Sequence, residues 1–375
     1  MNAGLDDLPV IDGEPDAAYL AKALRRAGRT ATVDGVEVTA LTGGRQSNKV
    51  LSLKSRSAGA YVLKTFPRSS WRDAIFEAGN VEPALWTAGV TRDLPPPLNC
   101  PTIDLVHHAA RDEEWMLMVD VSHGIMGRGV YDEDRLNWLF GALAGLHARY
   151  WEKNEALASL PLVPLEANIA YFAEPAAALG GRVPVDGWVK DVIENFVVLK
   201  PFLPVFLDVL GTADANFYLD LCQHRADWVA ALAELPQTLV HGDIRRANVA
   251  PLTAGTVSIF DWDLASCAPA ASDLTWYWFL QFWCYPPNDG LDIANREPLR
   301  EHYVERLVEL LAPRFDRVTF DRSWDLCWLK VFVQLGFCLI DPLVGKHSPE
   351  DAERVRRAVR RAVDEAKRIC DVHLR

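Results

Sequence analysis

The chain has no C-x-x-C pair, no internal repeat and no low-complexity tract. Each absence removes a class of protein. The cysteines (Cys100, Cys222, Cys267, Cys284, Cys327, Cys338, Cys370) are scattered at mostly apolar positions, so they read as reduced thiols rather than a disulfide framework. The N-terminal stretch MNAGLDDLPVIDGEPDA is acidic and lacks an apolar centre, which is not the pattern of a signal peptide. LTWYWFLQFWCY is strongly apolar but too short to span a membrane, and reads as a buried helix. Clustered positive charge is scarce as well. A formal net charge of −12 argues against phosphate-backbone binding, and the arginine-rich segment from Arg354 to Arg361 alternates with acids, as a solvated helix face does. The expectation is a cytoplasmic protein with no nucleic-acid partner and no membrane partner; the oligomeric state stays open.

What is present is a long, ordinary globular chain. At 375 residues it exceeds the ~250–300 at which single cores stop growing, so two lobes are expected. DAAYLAKALRRAG repeats apolar residues at helical spacing and stops at a glycine. GVEVTAL and VLSLKS alternate as strands around the turn TGGRQSNK, and AYVLKTF is a third strand with Lys64 near its end. A helical stretch, SWRDAIFEAGNVEPALWTAG, leads to the extended connector DLPPPLNCP and then to two more strands, IDLVHHAA and EWMLMVDVS. Beyond Ser122 the character changes. DEDRLNWLFGALAGLHARYWEK and ANFYLDLCQHRADWVAALAEL each read as one long helix, and the remainder is mostly helical through SPEDAERVRRAVRRAVDEAKRIC. The fold class expected is α+β, with a β-rich lobe over residues 1–121 and a larger helical lobe over 122–375.

One segment breaks the second lobe's helical character. LVHGDIRRANVAPLTAGTVSIFDWDLAS sets carboxylates, an amide and arginines between apolar flanks. Buried carboxylates without partners cost several kcal/mol or lose their charge, so such clusters bind something. The spacing H-G-D-x-x-x-x-N followed by D-x-D suits phosphoryl transfer. A hard cation such as Mg²⁺ takes oxygen ligands, and here an Asp and an Asn can supply them while a second Asp stays available as a base.

These residues resemble the aminoglycoside phosphotransferase and choline kinase group, small-molecule kinases with a protein-kinase-like fold. HGDIRRAN and FDWD carry the resemblance. LTGGRQSNKVLSL is similar to the group's nucleotide-covering hairpin, YVLKTF to its lysine-bearing strand, MLMVDVS to the linker that contacts the adenine, and LAGLHARYW to a helix found in many members. The resemblance implies Asp243 as the base for the substrate hydroxyl, with Asn248 and Asp261 as Mg²⁺ ligands. Asp263 would assist or position a second metal. Lys64 would pair with the α- and β-phosphates, oriented by a helix glutamate, either Glu77 or Glu82; the PALW that follows Glu82 favours it. Arg245, two residues past the base, would stabilise charge on the transferring phosphoryl group. Gly43, Gly44, Ser47 and Asn48 would cover the phosphates through backbone N–H groups, and Val119 and Val121 would line the base pocket. Gly242 stands where many protein kinases carry the arginine that reads an activation-loop phosphate, which implies activity without such a modification.

The expected activity is therefore transfer of the γ-phosphoryl group of ATP or GTP to a hydroxyl of a small molecule: an aminoglycoside-like antibiotic, a sugar, a nucleoside or an amino alcohol. Other readings compete at single positions. His241 reads as a structural hydrogen-bonding residue, and His147 as a core histidine on an apolar helix face. Trp276, Trp278 and Trp283 read as core rather than as stacking platforms, and Arg246 as a surface ion-pair residue or a substrate contact. An inactive relative that only binds nucleotide would have no need of Lys64, Asp243, Asn248 and Asp261 together. A metal phosphohydrolase would have no need of the glycine hairpin and Lys64.

Overall fold

The computed structural model describes residues 5–41, 49–68, 79–127, 132–196, 198–284, 297–343 and 349–374. Its early part contains the strands β1 (Val10–Ile11), β2 (Glu37–Ala40), β3 (Val50–Ser55) and β4 (Gly59–Pro67), then β5 (Leu98–Asn99), β6 (Thr102–His108) and β7 (Glu113–Val119). All but β5 form one sheet in the order β1-β6-β7-β4-β3-β2, antiparallel except where β1 runs parallel to β6. The register sets Leu63 opposite Leu51 and Leu117, and Lys64 opposite Val50 and Met116. Successive side chains leave opposite faces of a strand. Leu51, Leu63 and Leu117 therefore pack under Tyr19, Leu20 and Leu24 of helix α1 (Ala17–Arg26), and Lys64 is delivered to the other face. Asp16 caps α1 by accepting from the Tyr19 N–H at 2.9 Å, and Arg26 near its end grips Asp104 of β6 through two bonds of 3.0 and 2.7 Å.

Helix α2 (Val81–Thr87) carries Glu82 in its first turn, directly ahead of Pro83. The proline is tolerated because first-turn N–H groups have no partner within the helix. DLPPPLNCP is not extended throughout: the chain turns at Pro96 and Pro97, where the Leu98 N–H donates to the Pro95 carbonyl at 3.0 Å, and then docks as β5 in parallel with β10 (Thr256–Ile259), setting Leu98 opposite Val257 and Asn99 opposite Ser258. Val81, Leu85, Val90, Leu94 and Leu98 pack into the large core of the helical region rather than against the sheet.

From residue 132 the chain is mainly helical, including α3 (Glu133–Tyr150), α4 (Leu165–Leu179), α5 (Leu199–Gln223, broken at Gly211, where φ is +71°), α6 (Arg225–Ala233), α7 (Ala271–Phe279), α8 (Glu297–Leu311), α9 (Arg317–Leu335) and α10 (Pro349–His373). The sheet-plus-helix composition is the α+β class expected. ANFYLDLCQHRADWVAALAEL is not one helix, however. His224, at φ −102° and ψ 38°, ends α5, and α6 starts one residue later. Leu274 to Cys284 of LTWYWFLQFWCY are all buried, with α7 continuing into a π-helical turn over Leu280–Cys284. Among the described residues the segment Arg317–Asp341 is long and apolar enough to cross a membrane, but 83% of its apolar window is buried inside the protein, the position of a core helix. The arginines of α10 pair locally, Arg354 with Asp351 and Arg356 and Arg360 with Glu353, as a solvated face would.

The polar motif lies on short strands wedged into this helical region. β8 (Gln237–Val240) leads into the loop 241–248, and β9 (Val249–Thr253) and β10 form a hairpin that leads into 260–265. β11 (Ser266–Pro269) returns antiparallel to β8 and feeds α7.

Candidate active site

The loop after β8 is fixed by its backbone. Gly242 has φ +83°, and a Cβ there would sit 2.0 Å from the Leu264 carbonyl oxygen, so only glycine fits. Its N–H and that of His241 both donate to the carboxylate of Asp273, to Oδ1 and Oδ2 respectively, each at 2.8 Å. Asp273 is fully buried on α7 and also meets His147 Nε2 at 3.2 Å, while His147 Nδ1 meets the Tyr303 hydroxyl at 2.6 Å. Burial alone would raise the Asp273 pKa, but the bond to His147 and the His241 N–H outweigh it and hold the carboxyl below its ordinary value. His241 has both ring nitrogens engaged. Nε2 lies 2.9 Å from the Phe260 carbonyl and so must donate, which leaves Nδ1 to accept the Asp243 N–H at 3.2 Å. That tautomer makes it a brace, as its sequence context suggested.

Asp243 is thereby presented with both oxygens in use. Oδ1 accepts from Trp276 Nε1 at 2.9 Å, and Oδ2 accepts from Arg245 Nε at 3.0 Å and Asn248 Nδ2 at 2.8 Å. Burial pushes its carboxyl above the usual range, against the opposing pull of Arg245. Asn248 Nδ2 donates to the Asp243 carbonyl as well, at 2.9 Å, so its amide nitrogen is committed and its oxygen is the atom left for a cation.

A second cluster sits across from the first. Lys64 Nζ lies 2.7 Å from Glu82 Oε2, 2.5 Å from Asp261 Oδ1 and 3.1 Å from Asp263 Oδ2. The other Glu82 oxygen accepts the Asp261 N–H at 2.8 Å. Asp261 takes φ +70°, a strained conformation for any residue with a Cβ, and these two bonds hold it there. Burial resists its ionisation, but Lys64 overcomes that and keeps the Asp261 carboxyl far below the ordinary range. Glu82 moves the other way: burial raises it despite Lys64. One oxygen from each of Glu82, Asp261 and Asp263 falls within 4.8 Å of the others. Three carboxylates around one ammonium leave an excess of negative charge, and hard oxygen donors in that number suit a divalent cation of the Mg²⁺ type. Arg245 Nη2 stands 4.0 Å from Asp261 Oδ2, between the two clusters.

Over this face opens a cleft of about 440 Å³ whose walls include Val50, Val62, Lys64, Met118, Phe260 and Asp261. Val119 and Val121 belong to the same wall. Gly43, Gly44, Ser47, Asn48 and Glu77 lie outside the described residues. Arg246 Nη1 reaches the Met126 carbonyl at 3.4 Å. Trp278 and Trp283 are buried among Phe282, Trp324, Phe279 and Trp328, as core residues are. Trp276 is more than core, because its ring nitrogen holds Asp243. Asp273 was passed over in the sequence as well. The available signal was one carboxylate inside the apolar run ASDLTWYWF, where a buried charge requires partners.

The model of the phosphotransferase enzyme family matches residues 37–310. No curated protein matches the chain significantly in sequence. Among solved structures, a spectinomycin phosphotransferase in complex with ADP and spectinomycin is similar at 12% identity, over 94% of this chain and 98% of that one, with a TM-score of 0.44. A choline kinase from Streptococcus pneumoniae is similar at 12% identity over 92% and 98%, with a TM-score of 0.43. An ethanolamine kinase from Plasmodium vivax is similar at 11% identity over 87% and 82%, with a TM-score of 0.41.

Proposed function

Because the chain belongs to the phosphotransferase enzyme family, we propose that it moves the γ-phosphoryl group of ATP or GTP to a hydroxyl of a small molecule, with Asp243 as the base. The observation that carries this reading is a pair of aspartates pushed in opposite directions. Asp243 is raised by burial, and Asp261 is held ionised by Lys64. Such a split separates a proton acceptor from a permanently charged group that can hold a cation. In this reading residues 1–121 form the nucleotide-covering lobe and 122–375 the catalytic and acceptor lobe, with β5 joining the two. Val119 and Val121 would border the base, and Lys64, oriented by Glu82, would meet the α- and β-phosphates. The backbone at Gly43, Gly44, Ser47 and Asn48 would cover them.

Asn248 and Asp261 would hold Mg²⁺, with Asp263 assisting; when bound, the ion supplies charge neutralisation for the phosphates. The chain's own work is positioning. Trp276, Arg245 and Asn248 fix the Asp243 carboxylate so that it can receive the hydroxyl proton as the oxygen attacks in line. The defining experiment is a nucleotide-consumption screen across aminoglycosides, sugars, nucleosides and amino alcohols.

Two expected results probe the assignments. Asp261→Ala abolishes Mg²⁺-dependent nucleotide binding, and Asn248→Ala weakens it less, because a neutral amide supplies less charge. Calorimetric titration of nucleotide with and without Mg²⁺ reads this directly, and equal metal dependence in parent and variants rejects the metal site. Arg245→Ala lowers kcat by ~10²–10³-fold, the scale of losing one transition-state donor, with a smaller change in nucleotide KM. Arg245→Lys recovers part of the rate, since a point charge remains without the planar fork. An unchanged kcat together with a lower melting temperature would reduce Arg245 to a loop brace.

A further inference from the structure

Next to the Trp276–Asp243 pair the helical core holds a cation that, among the described residues, no hydrogen bond or ion pair balances. Lys330, on α9, is 3% exposed, and among the described residues it has no hydrogen-bond or ion-pair partner. Its Nζ lies 5.5 Å from the centre of the Trp276 ring, the indole whose nitrogen donates to Asp243. The two carboxylates of this neighbourhood are already committed. Asp243 is held by Trp276, Arg245 and Asn248, and Asp273 by the loop N–H groups and His147. One helical turn further along α9, Gln334 Nε2 donates to Asn168 Oδ1 at 2.8 Å, while Gln334 Oε1 and Asn168 Nδ2 are buried without partners. Phe172, four residues after Asn168 on α4, closes the side by packing edge-on against Trp276 at 5.7 Å.

An unpaired buried ammonium is costly, and an aromatic face returns only part of that cost. Burial has moved the Lys330 pKa down to about 8, so the group still carries charge near neutral pH. An anionic group of a bound ligand would supply the missing partner. One ammonium matches the single charge of a carboxylate, whereas a phosphate group at about −1.5 to −2 would leave an excess. Acceptors bearing ammonium groups would bring like charges together.

We propose that Lys330 determines acceptor specificity, receiving the carboxylate of a hydroxy acid whose hydroxyl is presented to Asp243. This rests on the phosphotransferase reading above. The acceptor oxygen forms a bond to the γ-phosphorus of the nucleoside triphosphate, and the bond from that phosphorus to the bridging oxygen breaks. The hydroxyl proton passes to Asp243, and the products are a phosphorylated hydroxy acid and a nucleoside diphosphate.

The test uses the full chain, Mg²⁺, ATP and three acceptor series of matched skeleton: hydroxy acids, their primary amides and the corresponding amino alcohols. Nucleoside diphosphate release gives the kinetics. The hydroxy acids are expected to lead in kcat/KM, and Lys330→Met to raise their KM by about 30-fold or more, the scale of breaking a buried charge pair, with kcat changed less. Lys330→Arg keeps part of the preference. The melting temperature of Lys330→Met holds or rises, because an apolar chain replaces an unpaired charge, whereas a merely structural lysine would lower it. A preference for amino alcohols, or an unchanged KM in Lys330→Met, overturns the inference and leaves phosphotransfer standing. If no series turns over, calorimetry of the hydroxy acids with the nucleotide-loaded protein decides. Binding that is lost in Lys330→Met supports the assignment, and no binding overturns it. Failure of the parent to bind nucleotide at all overturns the phosphotransferase reading and this inference with it.

Discussion

Asp243→Asn is expected to lower kcat by ~10²–10⁴-fold, the usual share of a general base, while nucleotide affinity stays near the parent value. The amide cannot accept the hydroxyl proton, but that is only half of its effect. All three groups facing the carboxylate are donors: Trp276 Nε1, Arg245 Nε and Asn248 Nδ2. If the asparagine oxygen serves Arg245 and Asn248, its own NH₂ is turned against the indole N–H and leaves a buried donor unpaired. That costs about 1–3 kcal/mol, so the variant is also expected to melt at a lower temperature. Single-turnover kinetics, nucleotide calorimetry and a thermal melt separate the parts. Near-parental turnover would rule Asp243 out as the base, and an unchanged melting temperature would rule out the three-donor cradle.

The largest effect on stability is expected from Asp273→Ala. The substitution strands two buried N–H groups, those of His241 and Gly242, and removes the partner of His147. Each buried donor left unsatisfied costs about 1–3 kcal/mol, so the loss is a large part of a typical protein's total stability. The pH dependence identifies the cause. Because the folded pKa of Asp273 lies below its unfolded value of about 3.9, the stabilisation is complete above that pH. It is lost as pH falls through the folded pKa. Urea unfolding at pH 7 should show the full gap between parent and variant, and the gap should narrow at pH 3 and below. A gap independent of pH would mean that shape, rather than charge, supports the loop.

The sheet was legible because its strands alternate cleanly. VLSLKS and AYVLKTF place their leucines on the α1 side, and that same alternation sends Lys64 to the cleft. The H-G-D loop was legible because its residues are close in sequence and chemically unusual. What the sequence hid falls into two kinds. His224 interrupts an apolar period that continues in phase on both sides, so the periodicity of ANFYLDLCQHRADWVAALAEL could not reveal the break. Asp273 and Trp276 were masked by composition. In a helix this rich in aromatics, a tryptophan is expected to be packing, and only tertiary contact shows that its ring nitrogen points at a carboxylate. Pro83, which sequence rules count against a helix, costs nothing at the third helical position.

Glu82 gives one oxygen to Lys64 of the sheet and the other to the backbone of Asp261, whose conformation is strained. A withdrawal of α2 by the length of one hydrogen bond breaks both contacts at once. The ammonium then keeps Asp261 Oδ1 and Asp263 Oδ2 as partners, so strand and loop stay joined by charge while the backbone of Asp261 loses its acceptor. One carboxylate thus ties the position of α2 to a strand lysine and to the loop backbone at the same time.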